Sequence, residues 1–211
     1  MQISVFSDVV CPWCFIGKRR LERALDEMGA SASVSIEWLP FELNPQMPAG
    51  GMPRAEYLAH KFGPERAAAM QAQIGEVGAQ EGIAFAFDRI ARSPNTRRAH
   101  MLIAYASGED RGPAAAEALF TAYFEEGRDI GEEAVLLGVA EEVGLDRSAA
   151  KAAIEDLDLR RLVTALESRA AELGITGVPF FIIDGKWAVS GAQPTDAWVE
   201  ALQRIAAQPQ Q

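Results

Sequence analysis

The chain has 211 residues, 49% of them hydrophobic and 24% charged, which is enough apolar material for one substantial core carrying a sizeable insertion. Lys and Arg number 20 against 30 Asp and Glu, and the net charge of −10 repels phosphate backbones and anionic lipid surfaces, so neither nucleic acid nor a membrane surface is an expected partner. No apolar run approaches the roughly 20 residues needed to span a bilayer.

Gln2 to Ser7 alternates apolar and polar residues and is β-rich, which predicts a strand ending near Asp8. Gly17 to Met28 carries apolar positions at Leu21, Ala24, Leu25 and Met28, the spacing of a helix. Between them lies Cys11-Pro12-Trp13-Cys14, which holds both cysteines of the chain. At a strand-to-helix junction the unpaired N–H groups and the positive end of the macrodipole stabilise a thiolate. Pro12 is tolerated there because its missing N–H would have been unpaired in any case. This spacing lets one sulfur attack a disulfide and its neighbour resolve the mixed disulfide, with Cys11 the candidate nucleophile and Cys14 the resolving thiol.

Two other readings of the pair stand beside this one. Two thiols supply half of a zinc site, but His60 and His100 are distant single residues without ligand spacing. A static disulfide is the other, yet it would close a very short loop and gain little chain entropy. The chain opens directly into strand pattern at Gln2, without the basic and then apolar layout of a secretory signal, so the cytoplasm is the expected compartment.

Ser33 to Leu39 alternates Val34, Ile36 and Trp38 with polar neighbours, predicting a second strand parallel to the first through a right-handed βαβ crossover. Asn44 to Pro53 holds three prolines and two glycines and forbids a long regular element, and a domain boundary is placed there. From Arg54 to about Leu173 the pattern is helical and Ala-rich, broken at Gly63-Pro64, Gly82, Ser93-Pro94, Gly112-Pro113, Gly127 to Gly131 and Gly144. Within it, Ile83 to Phe87 is expected to be an extended connector packing two Phe rings. Asn95 is read as the N-cap of a helix that carries His100 one turn inside. The basic runs Lys18-Arg19-Arg20 and Arg97-Arg98 are taken as solvated surface, as is His60, and no Ser, His and Asp constellation is assembled from the sequence.

Phe180 to Ile183 reads as a strand buried on both faces, opened by Pro179. Asp184-Gly185 marks a two-residue hairpin into Lys186 to Ser190, which predicts antiparallel pairing. Pro194-Thr195-Asp196 begins an amphipathic helix carrying Trp198, Leu202 and Ile205, after which Gln208 to Gln211 is expected to fray. The expected fold class is therefore α/β, β-α-β, helical insertion, β-β-α, with residues 1–53 and 174–211 forming one domain and 54–173 the insertion.

Cys11-Pro12-Trp13-Cys14 after a first strand, the run from Asn95 to His100, and Gly177-Val178-Pro179-Phe180-Phe181 before a hairpin together resemble the DsbA-like, FrnE-type thiol–disulfide oxidoreductases, over nearly the whole chain. The resemblance implies a thioredoxin-like fold with a helical insertion, and a redox-active Cys11–Cys14 disulfide in place of a tightly bound cofactor or metal. It implies a cis Val178–Pro179 bond facing the dithiol, with Val178 pairing an extended substrate and Pro12 and Trp13 presenting apolar surface to it. The chain departs from the periplasmic members in carrying Pro-Trp where they carry Pro-His, which points to a weaker oxidant acting as reductase or isomerase. The same architecture resembles the glutathione-dependent 2-hydroxychromene-2-carboxylate isomerases and kappa-class glutathione transferases, in which Asn95, Val178 and Gln193 would contact glutathione. Protein or peptide disulfides and glutathione are the expected partners, the protein being a monomer or homodimer. A chaperone-like peptide-binding module is the third reading.

Overall fold

The protein is described here as a computed structural model covering residues 1–208, so Pro209, Gln210 and Gln211 of the expected frayed end lie outside the described residues. A four-stranded mixed sheet with order β2-β1-β5-β6 forms its centre. Strand β1 (Gln2–Ser7) pairs parallel with β2 (Ser35–Pro40), placing Val5 opposite Trp38. On its other side β1 pairs antiparallel with β5 (Phe180–Ile183), with Val5 opposite Phe181, and β5 pairs antiparallel with β6 (Trp187–Ser190). Helix α1 (Pro12–Glu27) makes the β1-to-β2 crossover, and α9 (Thr195–Ala206) packs beside it.

Strand periodicity decides which residues enter the core. Ile3, Val5, Trp38 and Phe181 share one face and are buried beneath the helices. Trp198 of α9 meets Phe181 edge-on at 4.7 Å between ring centroids. The opposite face is thinner, with Phe6 packing on Ala170 and Ile175 while Leu39, Phe180 and Ile182 remain half-buried. Strand β5 therefore alternates buried and half-buried residues, where its apolar run had suggested burial on both faces. The hairpin also differs from expectation: Asp184 and Gly185 both have positive φ, and Lys186 stays in the turn because Ile183 pairs with Trp187. That is a two-residue turn followed by a bulged residue.

Between β2 and β5 run α2 (Arg54–Phe62), α3 (Pro64–Gln80), α4 (Arg97–Gly108), α5 (Gly112–Phe124), α6 (Glu133–Glu142), α7 (Arg147–Glu155) and α8 (Leu157–Glu172). Gly63-Pro64, Gly82, Gly112-Pro113 and Gly144 separate helices as their residue types dictate. Two features were not expected from the sequence. Asp156 ends α7 and caps α8 through its side chain, which accepts the Leu159 N–H at 2.7 Å. Met52–Pro53 (β3) and Arg92–Ser93 (β4) form a short antiparallel pair of two residues each. Ile83 is buried, and Phe85 and Phe87 stack half-buried on each other at 4.9 Å without forming a strand.

The helical segment shares its core with the sheet. Phe120 of α5 stacks on Phe15 of α1 at 5.1 Å and meets Trp38 of β2 edge-on at 6.0 Å, and it is fully buried. Phe120→Ala is expected to lower unfolding free energy by about 3–5 kcal/mol in urea denaturation. A loss below about 1 kcal/mol would show that segment and sheet are not coupled through this ring.

Candidate functional site

Cys11 is the N-cap of α1, with extended backbone at φ −94° and ψ 110°, and Pro12 is the first helical residue. Its N–H donates to Asp8 O at 2.9 Å and its carbonyl accepts the Cys14 N–H at 3.0 Å, so the strand turns into helix within one turn. The Cys11 thiol donates to Val178 O at 3.7 Å, and the Val178–Pro179 peptide is cis. Both cysteines are free thiols.

The β1–β5 register places Phe6 opposite Phe180, so the end of β1 and the start of β5 lie together. Closer in, a Cβ built on Gly17 would stand 3.0 Å from Pro179 Cγ, so only glycine lets α1 approach the Pro179 segment at this distance without displacing it. Gly17→Val is expected to cost about 1–3 kcal/mol by overpacking and to weaken reaction at Cys11. Unchanged stability and rate would show that Pro179 yields freely.

Cys11 is 4% exposed and Cys14 1%. Cys11 is therefore less open than the accessible thiol the sequence leads one to expect, and half-buried Pro12 and Trp13 stand next to it. Burial pushes the Cys14 thiol well above its usual range, reinforced by the adjacent Cys11 sulfur and partly opposed by the Ser7 side chain and the Asp8 backbone.

Of the other predicted residues, His100 is drawn in and two are held apart by local bonds. Helix α4 is capped at Thr96, one residue later than expected. The Asn95 side chain still accepts the Arg97 N–H at 3.1 Å, and its amide donates to Met47 O at 2.8 Å. An Asx-type turn reaches the first helical N–H from one residue further back, which is why spacing alone misplaced the cap. Gln193 is exposed and donates to Ser190 O at 2.7 Å, in a loop whose Gly191 N–H donates to Pro179 O.

The sequence reading missed a buried polar group behind the dithiol. Asp8 is fully buried, its Oδ2 accepts the Leu43 N–H at 2.8 Å, and its Oδ1 faces His100 Nε2 at 3.4 Å outside hydrogen-bond geometry. Ser7 Oγ is buried without a partner beside Cys14. Asp8 and His100 are thus neighbours and Ser7 lies nearby, without hydrogen bonds among the three side chains, because β1 delivers Ser7 and Asp8 to the point where α4 begins. The available signal was a carboxylate three positions before Cys11 where an apolar strand ends.

Beyond His100, Arg97 Nε donates to Glu42 Oε1 at 2.6 Å, and Arg97 also meets Glu167 of α8 at 3.4 Å. The Glu42 hydrogen bond raises the Arg97 pKa. The basic runs taken as solvated are paired instead. Lys18 is 5% exposed with Glu117 Oε2 at 2.6 Å, Arg20 holds Glu81 at 2.6 Å, and Arg98 holds Glu133 at 3.0 Å. Helix packing surrounds these stems, and glutamates from neighbouring helices neutralise their heads. Among the described residues no cluster of His, Cys, Asp and Glu is arranged to hold a metal ion.

A helix-start dithiol at the strand-to-helix junction of a parallel βαβ unit, facing a cis-proline loop before an antiparallel hairpin, defines a protein of the thioredoxin-fold class. The model of the DSBA-like thioredoxin domain matches residues 2–203, and the chain belongs to that family. It is 32% identical to the uncharacterized Bacillus subtilis protein YwbO, over 96% of each chain. It is similar to the crystal structure of a probable DsbA oxidoreductase from Streptomyces coelicolor, at 32% identity and TM-score 0.91, covering 100% of this chain and 92% of that one. The fold is shared at lower identity with a 2-hydroxychromene-2-carboxylate isomerase (18%, TM-score 0.76, 98% and 96% covered). It is shared too with the cytosolic disulfide reductase DsbM from Pseudomonas aeruginosa, solved with glutathione (21%, TM-score 0.72, 99% and 100% covered).

Burial and the nearby Glu42 carboxylate raise Glu167 from 4.5 to about 7, against the lowering effect of His100 and Arg97. The folded protein therefore holds this proton more tightly than the unfolded chain does, and the stabilisation is present below pH 4.5 and lost as pH rises through about 7. Denaturation midpoints across that window should fall with pH in the wild type and fall less in Glu167→Gln. Equal slopes for the two proteins would refute the assignment.

Proposed function

We propose that the protein is a thiol–disulfide oxidoreductase or disulfide isomerase acting on protein, peptide or small-thiol disulfides. Cys11 attacks as thiolate, a mixed disulfide forms, and Cys14 resolves it. The observation that carries this reading is the pairing of an N-cap thiol held against Val178 O with a second, buried thiol one turn further along the same helix. Val178 and Pro179 position the substrate backbone, Pro12 and Trp13 bear its apolar side chains, and residues 54–173 act as the insertion that closes over the dithiol from behind. Membership of the DSBA-like family supports redox chemistry.

Reduction or isomerisation in the cytoplasm is the direction we favour, with glutathione as electron donor. The Pro-Trp dipeptide supports it, since no imidazolium stands between the thiols to stabilise the thiolate further. In fold, the cytosolic reductase solved with glutathione supports it as well. Shared fold with the chromene-carboxylate isomerase supports a second reading, in which the reacting thiol is glutathione's own.

Substitution of the two cysteines separates the readings. Cys11→Ser is expected to abolish insulin reduction, and Cys14→Ser to accumulate mixed disulfides. Full reductase activity after both substitutions would end the dithiol proposal. Glutathione-dependent isomerisation that survives both would establish the second reading, and peptide binding without turnover the chaperone-like one.

A further inference from the structure

The loop that supports Pro179 has few bonds of its own. Residues 191–194 leave β6 for α9 as Gly-Ala-Gln-Pro, and Gly191 stands at φ +78°, a left-handed conformation that favours glycine. The Gly191 N–H donates to Pro179 O at 2.8 Å, tying the loop to the segment that enters β5. Gln193 closes onto its own neighbours, its N–H donating to Gly191 O at 3.0 Å and its side chain to Ser190 O. None of these bonds reaches α1, the helix that carries the dithiol.

Arg20 of α1 supplies the connection. It lies one turn after Gly17 on the same helix face, and its Nη1 donates to Ala192 O at 2.7 Å. A Cβ built on Gly17 would meet Pro179 Cγ at 3.0 Å and Ala192 Cβ at 3.5 Å, so the two α1 residues face one loop. The Nε of the same guanidinium donates to Glu81 Oε1 at 2.6 Å, directly after α3, and Arg23 Nη2 stands 2.8 Å from the second Glu81 oxygen. The Arg20 and Glu81 side chains are 15% and 8% exposed, unlike the solvated ion pairs whose geometry is loose. A planar guanidinium holds a carboxylate and a carbonyl at once in fixed directions, which a single ammonium does not.

We propose that Arg20 is a positioning residue for substrate: through Ala192 O and the Gly191–Pro179 bond it holds the Pro179 loop in place against the dithiol helix, while Glu81 of the helical segment fixes the guanidinium. The inference rests on the reading of the preceding subsection, in which Val178 pairs with the backbone of a peptide disulfide. A loop already ordered when substrate arrives spares the ordering cost of each encounter, and that free energy is kept as affinity. Were the loop competent only part of the time, apparent affinity would fall by that fraction while the bound complex reacted at its usual rate. Arg20 touches neither sulfur, so its effect belongs in KM and not in kcat. Through Glu81 the helical segment influences substrate binding without contacting the substrate.

Two measurements on the full-length protein test this. In steady-state reduction of a fluorophore–quencher peptide disulfide, with dithiothreitol as electron donor, Arg20→Met is expected to raise KM on the order of 10-fold and leave kcat within about twofold, the worth of about one charge-assisted hydrogen bond. Amide hydrogen exchange followed by NMR reads the loop without turnover: the Gly191 N–H should exchange about 10-fold faster in the variant while the β1 amides change less. Arg20→Lys keeps the charge beside Glu81 but offers one nitrogen in place of the fork, so it should follow Arg20→Met on both counts. Wild-type KM or wild-type Gly191 exchange in either variant, a loss confined to kcat, or exchange accelerated equally in β1 and the loop would overturn the positioning role. A wild-type protein that reduces no peptide disulfide would instead overturn the dithiol reading, and the Gly191 exchange rates would still decide whether Arg20 holds the loop.

Discussion

The geometry of the site follows from one hydrogen-bonded register, that of β1 against β5. Because Phe6 faces Phe180, the chain leaving β1 and the chain entering β5 are held side by side, and the thiol of Cys11 comes to rest on the carbonyl of Val178. Neither segment is rigid by composition, since each is a short connector. Their rigidity is borrowed from the sheet below and from Gly17, whose missing side chain allows α1 to lie against Pro179. A register shift of one residue would turn Val5 and Phe181 out of the core, so the hydrophobic effect that sets the register also sets the position of the sulfur.

The helical segment contributes more than cover. Its α4 enters beside β1 through Asn95 and Thr96, and that entry brings His100 under Asp8 and Arg97 onto Glu42. Glu42 and Leu43 belong to the segment leaving β2, and the Leu43 N–H is bonded to Asp8. A single connected set of polar contacts therefore joins the end of β1, the exit from β2, the start of α4 and, through Glu167, helix α8. Buried charges of this kind add little net stability, because desolvation offsets most of their attraction. What they supply is fixed relative placement of four elements that otherwise meet only through apolar side chains.

Much of this was legible in the sequence where local pattern and burial agree. The alternation of Gln2 to Ser7, the heptad-like spacing of Trp198, Leu202 and Ile205, and the Gly-Pro breaks each encode an element through its own residues. The dithiol was legible for the same reason, being contiguous. The polar group behind it was not, because Ser7, Asp8, Glu42, His100 and Glu167 are spread over the chain and only tertiary contact unites them. The misjudged basic runs fail on the same ground: Lys18 looks solvated by type, and the glutamate that neutralises it, Glu117, arrives from a helix far along the chain.

The two sulfurs differ through helix geometry. In an α-helix, positions three apart lie on nearly the same face one turn along, so a helix packed at an angle to the surface buries the second while the first stays at its mouth. Cys11 ends up at the junction of the two connectors, whereas Cys14 sits next to Phe15 and Ile16 in the shared core. Burial raises the proton affinity of Cys14, which in the proposed reaction leaves the attack to Cys11. In the proposed reaction the order of attack and resolution therefore follows from where the helix places each sulfur, the first on the Val178 carbonyl and the second one turn further into the core.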